Sequence, residues 1–215
     1  MTGIKNVMYI LVIIIFCNSC IKKESEELQK SVVSIGFFNK GSYFLPSGVA
    51  TFISDQYLLT SCNSIPYNED SEITIKDSLG LYHRASLVLV ETKPCFAILY
   101  TDLMRSELNF PLCTNFSESE HIIISQTEDL FNLYYKVLLL KKGTINTNFL
   151  TSGALINGNY FPKELPDFSK GAPIISLTNK CVIGIYIRST YDLLEFSLSH
   201  EIIKHLYNNF LEEKR

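Results

Sequence analysis

Charge of one sign is what this chain most conspicuously lacks: 19 Lys and Arg face 22 Asp and Glu over 215 residues, a net charge of −3, with no basic run or stripe. Nucleic-acid binding needs clustered cations to displace phosphate counterions, so a nucleic-acid partner is set aside. Histidine is scarce, four residues in all, and Cys62, Cys95, Cys113 and Cys181 stand far apart without a His-rich stretch beside them. That spacing does not build a zinc site, and neither metal nor cofactor is expected. Long apolar runs are missing as well. The N-terminal run, residues 7–17 (VMYILVIIIFC), has 11 residues, about half of the ~20 that a membrane-spanning helix requires. Helical periodicity is absent between the apolar runs of the interior, which excludes the covering helices of a parallel α/β sheet.

What is present begins with the N-terminus. Lys5 precedes the apolar run, and Cys17-Asn18-Ser19-Cys20 closes it just before a charged stretch, KKESEELQK at 22–30. This arrangement resembles a bacterial lipoprotein signal. The resemblance implies cleavage before Cys20, removal of residues 1–19, acylation of Cys20, and a tether over 20–30. It also implies a location in the bacterial cell envelope, lipid-anchored to a membrane on a face left open. Cys17 leaves with the signal and Cys20 carries lipid, so four cysteines remain. They allow two disulfides in three connectivities, and the simpler expectation is that they are small buried hydrophobes.

From Ser31 onward, short runs rich in Val, Ile, Tyr, Phe and Thr alternate with Gly, Pro, Asn, Asp and Ser. The first set is SVVSIGFF, GSYF, GVATFI, YLLTSC, EITIKD, HRASLVLVE and CFAILY. A polar break over 105–119 separates it from HIIIS, YYKVLLLKKGTI, NFLTSGALI, GAPIISL, KCVIGIYIRS and LLEFSL. The pattern predicts an all-β domain over 31–215: two packed six-stranded antiparallel β-barrels, about 31–105 and 119–198, in which closure removes the sheet edges. Ile202, Ile203, Leu206, Phe210 and Leu211 then recur at helical spacing, predicting a terminal amphipathic helix over about 200–212, with Ser197 or Ser199 as its N-cap.

Four segments in this order are similar to a trypsin-like serine protease of the chymotrypsin fold and HtrA type. TFISDQYLLTSCN (51–63) resembles the stretch that ends in the catalytic histidine; here it ends in Asn63. ETKPCFAILY (91–100) resembles the stretch holding the catalytic aspartate, and Cys95 takes that place. PDFSKGAPIISLTNKCVIGIYI (166–187) resembles the nucleophile segment, with Gly171, Pro173, Val182, Ile183 and Gly184 in register. Lys170 stands at the nucleophile and Phe168 at the oxyanion-hole glycine. LEFSLSHEIIKHL (194–206) resembles the closing strand and helix.

The resemblance therefore implies a protease fold without its triad. An Asn amide is not basic enough to take a serine proton, a cysteine could replace the acid only as a thiolate beside an imidazole, and Phe168 has a Cβ that resists positive φ. None of His83, His121, His200 and His205 falls where the base belongs. Lys170 reads either as a surface lysine or as an ammonium placed in the former cleft to receive an acidic group. The expectation is a pseudoprotease: a catalytically inactive, membrane-anchored module binding a peptide or protein in the inter-barrel cleft. The alternative is an atypical hydrolase using Ser169 or Cys95.

Overall fold

The computed structural model describes residues 30–39, 43–65, 72–103, 109–114, 121–128, 133–140, 145–146, 154–157, 170–190 and 193–212. Phe168, Ser169 and Cys20 lie outside them, as does the signal-like N-terminus.

Six antiparallel strands close the first barrel: β1 (Val32–Asn39), β2 (Tyr43–Phe52), β3 (Tyr57–Thr60), β4 (Ile73–Lys76), β5 (Tyr82–Thr92) and β6 (Cys95–Thr101), ordered β1-β2-β3-β6-β5-β4 and joined β4 to β1. Alternation of side chains turns Val33, Ile35, Ala50, Phe52, Leu58, Ile75 and Leu99 into the barrel, where they bury together. The runs GSYF and GVATFI, read as two strands, form the single strand β2. Pro46, which has no N–H to give a ladder, sits where the β1–β2 register shifts, between the Ile35–Gly48 and Gly36–Pro46 pairs. A bulge is the place a strand tolerates proline, so Pro46 does not end β2.

The second half departs from the expectation of another closed six-stranded barrel. β7 (His121–Glu128), β8 (Leu133–Leu140), β9 (Ile145–Asn146), β10 (Ala154–Asn157), β11 (Pro173–Ser176), β12 (Cys181–Thr190) and β13 (Leu193–Leu198) make one seven-stranded sheet, ordered β8-β7-β11-β12-β13-β10-β9. The run YYKVLLLKKGTI, expected as one strand, splits into β8 and β9. They lie at opposite edges of the sheet, and no ladder joins them among the described residues.

The last described element is helix α1 (Ser199–Glu212). Its Ile202 is fully buried with Leu59, Phe96 and Ile98 of the first barrel and Val182 and Ile185 of the second sheet. Ser197 belongs to β13 and donates its Oγ–H to the Cys95 carbonyl at 2.8 Å, while Ser199, the first helical residue, donates to the Cys113 carbonyl at 2.7 Å. Both serines thus tie the helix start to the rest of the molecule. A second shared cluster joins Val32 and Val49 of the first barrel to Ile122, Ile123, Ile174 and Phe196 of the second sheet.

Candidate functional site

Asn63, Cys95 and Lys170, singled out in the sequence, converge where the two halves meet. Strand β3 delivers Thr60 and then Ser61, whose buried side chain accepts the Asn63 N–H at 3.2 Å and caps a single 3₁₀ turn, Cys62–Ser64. Asn63 is half-buried on that turn. Cys95 opens β6, and the antiparallel register of β3 with β6 pairs Thr60 with Ala97. Two residues beyond Thr60 and two before Ala97, Cys62 and Cys95 face one another. Their Cα atoms are 5.1 Å apart and their sulfurs are bonded, within the separation that disulfide geometry allows. The Ser61 hydroxyl lies 3.4 Å from Cys95 Sγ and must be the donor, since a disulfide sulfur has no proton.

This corrects two expectations. Cys62 and Cys95 are not buried thiols, and Cys95 in the disulfide has no thiolate with which to attack a substrate. The hydrolase alternative is left with Ser169, outside the described residues. Cys113 and Cys181 form a second disulfide with a Cα separation of 5.2 Å. It joins the connecting segment to β12, where Cys113 N–H donates to the Val182 carbonyl and Val182 N–H to the Pro111 carbonyl, both at 2.8 Å.

Lys170 arrives from the second half, and its backbone keys it to the first. Its carbonyl accepts the Val49 N–H at 2.8 Å and the Ser64 hydroxyl at 3.0 Å, while its side chain is exposed. Ser64 is held in turn through its own carbonyl, which accepts the Ser47 hydroxyl at 2.6 Å. Gly171 follows with φ +88°, donating its N–H to the Tyr186 carbonyl at 2.8 Å; a Cβ there would collide with the Val49 carbonyl and the Thr60 hydroxyl. Only glycine accepts both this φ and this approach. Gly48, on the opposite wall, is equally tight: a Cβ would strike Ser64 Oγ and the Lys170 carbonyl.

Asn63, Cys95 and Lys170 are thus linked through immediate neighbours: Cys95 by a covalent bond to the residue before Asn63, and Lys170 by a hydrogen bond from the residue after it. Two of the histidines are engaged with carboxylates. His83 Nε2 is 3.2 Å from buried Asp77, and His205 Nε2 on α1 is 3.0 Å from Glu91 with its ring edge-on to Phe96. His200 lies exposed at the start of α1. No group of three His, Cys, Asp or Glu side chains that could hold a metal occurs among the described residues. Sequence reasoning overlooked Ser61, Ser64 and Ser47, the hydroxyls that fix the turn. Their signal was only the serine-rich setting of Cys62 and Asn63.

A closed antiparallel barrel packed on a second antiparallel sheet, with the nucleophile-like turn keyed between them and a closing helix, is the fold of trypsin-like serine protease domains. Solved structures bear this out. The chain is similar to the MamO protease domain from Magnetospirillum magneticum (apo form), with TM-score 0.60 and 14% identity, covering 83% of this chain and 97% of that one. It is also similar to the serine endoprotease from Yersinia pestis, with TM-score 0.62 and 14% identity over 88% of this chain and 66% of that one. At this identity the likeness is one of fold. No protein-family model and no curated protein matches the chain.

Proposed function

We propose that the chain is a catalytically inactive, serine-protease-like lipoprotein of the bacterial cell envelope, held at a membrane by acylated Cys20. In this reading it binds an extended peptide or protein segment between its two halves. The observation that carries the loss of chemistry is the Cys62–Cys95 disulfide. Cys95 takes the position of the catalytic acid in the sequence resemblance, and Asn63 that of the base. A disulfide sulfur bears no charge to stabilise an imidazolium, and an amide takes no proton from a hydroxyl near neutral pH. Lys170, in the nucleophile position of the resemblance, is exposed and offers an ammonium to an acidic group of a bound segment. The likeness of fold to protease domains supports this reading, since an extended peptide can pair its main chain with a strand edge without any triad. Two disulfides favour an exported protein, since such bonds persist in oxidising compartments.

The test is digestion of an unfolded protein by the oxidised native chain, beside a variant carrying Asn63→His, Cys62→Ala, Cys95→Asp, Lys170→Ser and Phe168→Gly. The expected result is no turnover by the native chain and restored cleavage in the variant. Native turnover that disappears with Ser169→Ala would overturn the reading.

A further inference from the structure

The β4–β5 connection is short and unusually apolar: Asp77-Ser78-Leu79-Gly80-Leu81, running into Tyr82 of β5. Leu79 is 74% exposed and Leu81 56%. Loops are ordinarily polar because their backbone and side chains face water, so two leucines on one tight turn call for an occupant. The turn is stiff. Asp77 is buried, and its Oδ1 accepts the N–H groups of both Leu79 and Leu81 at 2.9 Å while Oδ2 meets His83 at 3.2 Å; Gly80 supplies the φ of +81°. Beside it, the rings of Phe38, Phe44 and Tyr82 form a mutual cluster with centroids 5.1–5.9 Å apart. Lys76 reaches over the Tyr82 ring, its Nζ 5.2 Å from the centroid.

We infer that this end of the first barrel inserts shallowly into the lipid bilayer to which the chain is anchored. The inference rests on the Cys20 anchor proposed above. A projecting tip suits a bilayer better than a protein groove: leucines at its apex enter the acyl region, Tyr82 at its base favours the headgroup level, and Lys76 extends its ammonium to the phosphates. Reach permits it. The tip lies at the tethered end of β1: antiparallel β4 sets Lys76 opposite Ser34, so the turn that follows Lys76 projects toward the first residues of β1. The 11 residues 20–30 can span up to about 38 Å. The anchored N-terminus and the tip can therefore meet one membrane. Lys76 is the one cation placed at the tip among the contacts above, so insertion does not depend on anionic lipid.

The chain contains no tryptophan, so Leu79→Trp creates a single indole fluorophore at the apex. The lipidated full chain carrying it is reconstituted into phosphatidylcholine vesicles with and without brominated acyl chains, and the mass of its N-terminal peptide is measured separately. The expected outcome is a blue-shifted emission that the brominated lipid quenches. An acylated chain whose introduced indole emits as in water, unquenched, overturns the insertion and leaves the anchor standing. Blue shift without quenching that grows with protein concentration also overturns it, in favour of contact between copies. An unmodified Cys20 overturns the anchor, and this inference with it.

Discussion

At Lys170 the backbone and the side chain have separate roles. The carbonyl holds the second half of the molecule to Val49 and Ser64, while the side chain is exposed. Lys170→Ala should therefore change stability by no more than about 0.5 kcal/mol, as exposed substitutions generally do. Ser64→Ala removes one of the two donors to that carbonyl and should cost about 1 kcal/mol. Gly171→Ala forces a Cβ into the Val49 carbonyl at a positive φ and should cost about 3 kcal/mol or more. Urea midpoints of the three variants rank them, and a Gly171→Ala variant as stable as Lys170→Ala would show that the turn does not key the halves together. The glycine was legible in the sequence because it fell in register with Pro173 and the Val182-Ile183-Gly184 run. Its reason was not, since a collision with the carbonyl of Val49, far away along the chain, leaves no local mark.

Among the elements, what alternation of apolar residues encodes was legible and what register encodes was not. The apolar runs located the strands of the first barrel and the terminal helix, because one buried face dictates a period of two or of 3.6. The pairing of Cys62 with Cys95 depends on β3 and β6 being neighbours with Thr60 opposite Ala97, a relation that no single run carries. The continuity of β2 through Pro46 and the split between β8 and β9 escaped for the same reason, each being decided by the partner strand. The two disulfides close chain segments with sequence separations of 33 and 68. Loop-closure entropy gives each roughly 3–4 kcal/mol, and doubling the loop adds about 0.6 kcal/mol. Cys62→Ala/Cys95→Ala should accordingly destabilise the chain by roughly 3 kcal/mol and Cys113→Ala/Cys181→Ala by slightly more, read from denaturant unfolding of the oxidised variants. A Cys62/Cys95 variant of native stability would mean that the β3–β6 register alone holds the turn.

Over the whole molecule, the two halves share their apolar interior. Val32 and Val49 from the first barrel lie in one cluster with Ile122, Ile123, Ile174 and Phe196, and α1 seals a second cluster drawn from both sides. Halves without common packing could slide independently; a common core makes them a single unit. The physical consequence is one cooperative transition rather than two. Ile174→Ala, on β11 of the second sheet, opens a cavity in the shared cluster and should cost about 2–5 kcal/mol. Hydrogen exchange locates where that loss is felt. If the molecule unfolds as one unit, slowly exchanging amides of β1 and β2 lose as much protection as those of β12, although Ile174 belongs to neither barrel strand. Protection lost in β11 and β12 alone, with β1 and β2 unchanged, would mean two separately folding halves. The junction between them would then be a hinge, and the binding site proposed there would lack the fixed shape that a common core otherwise provides.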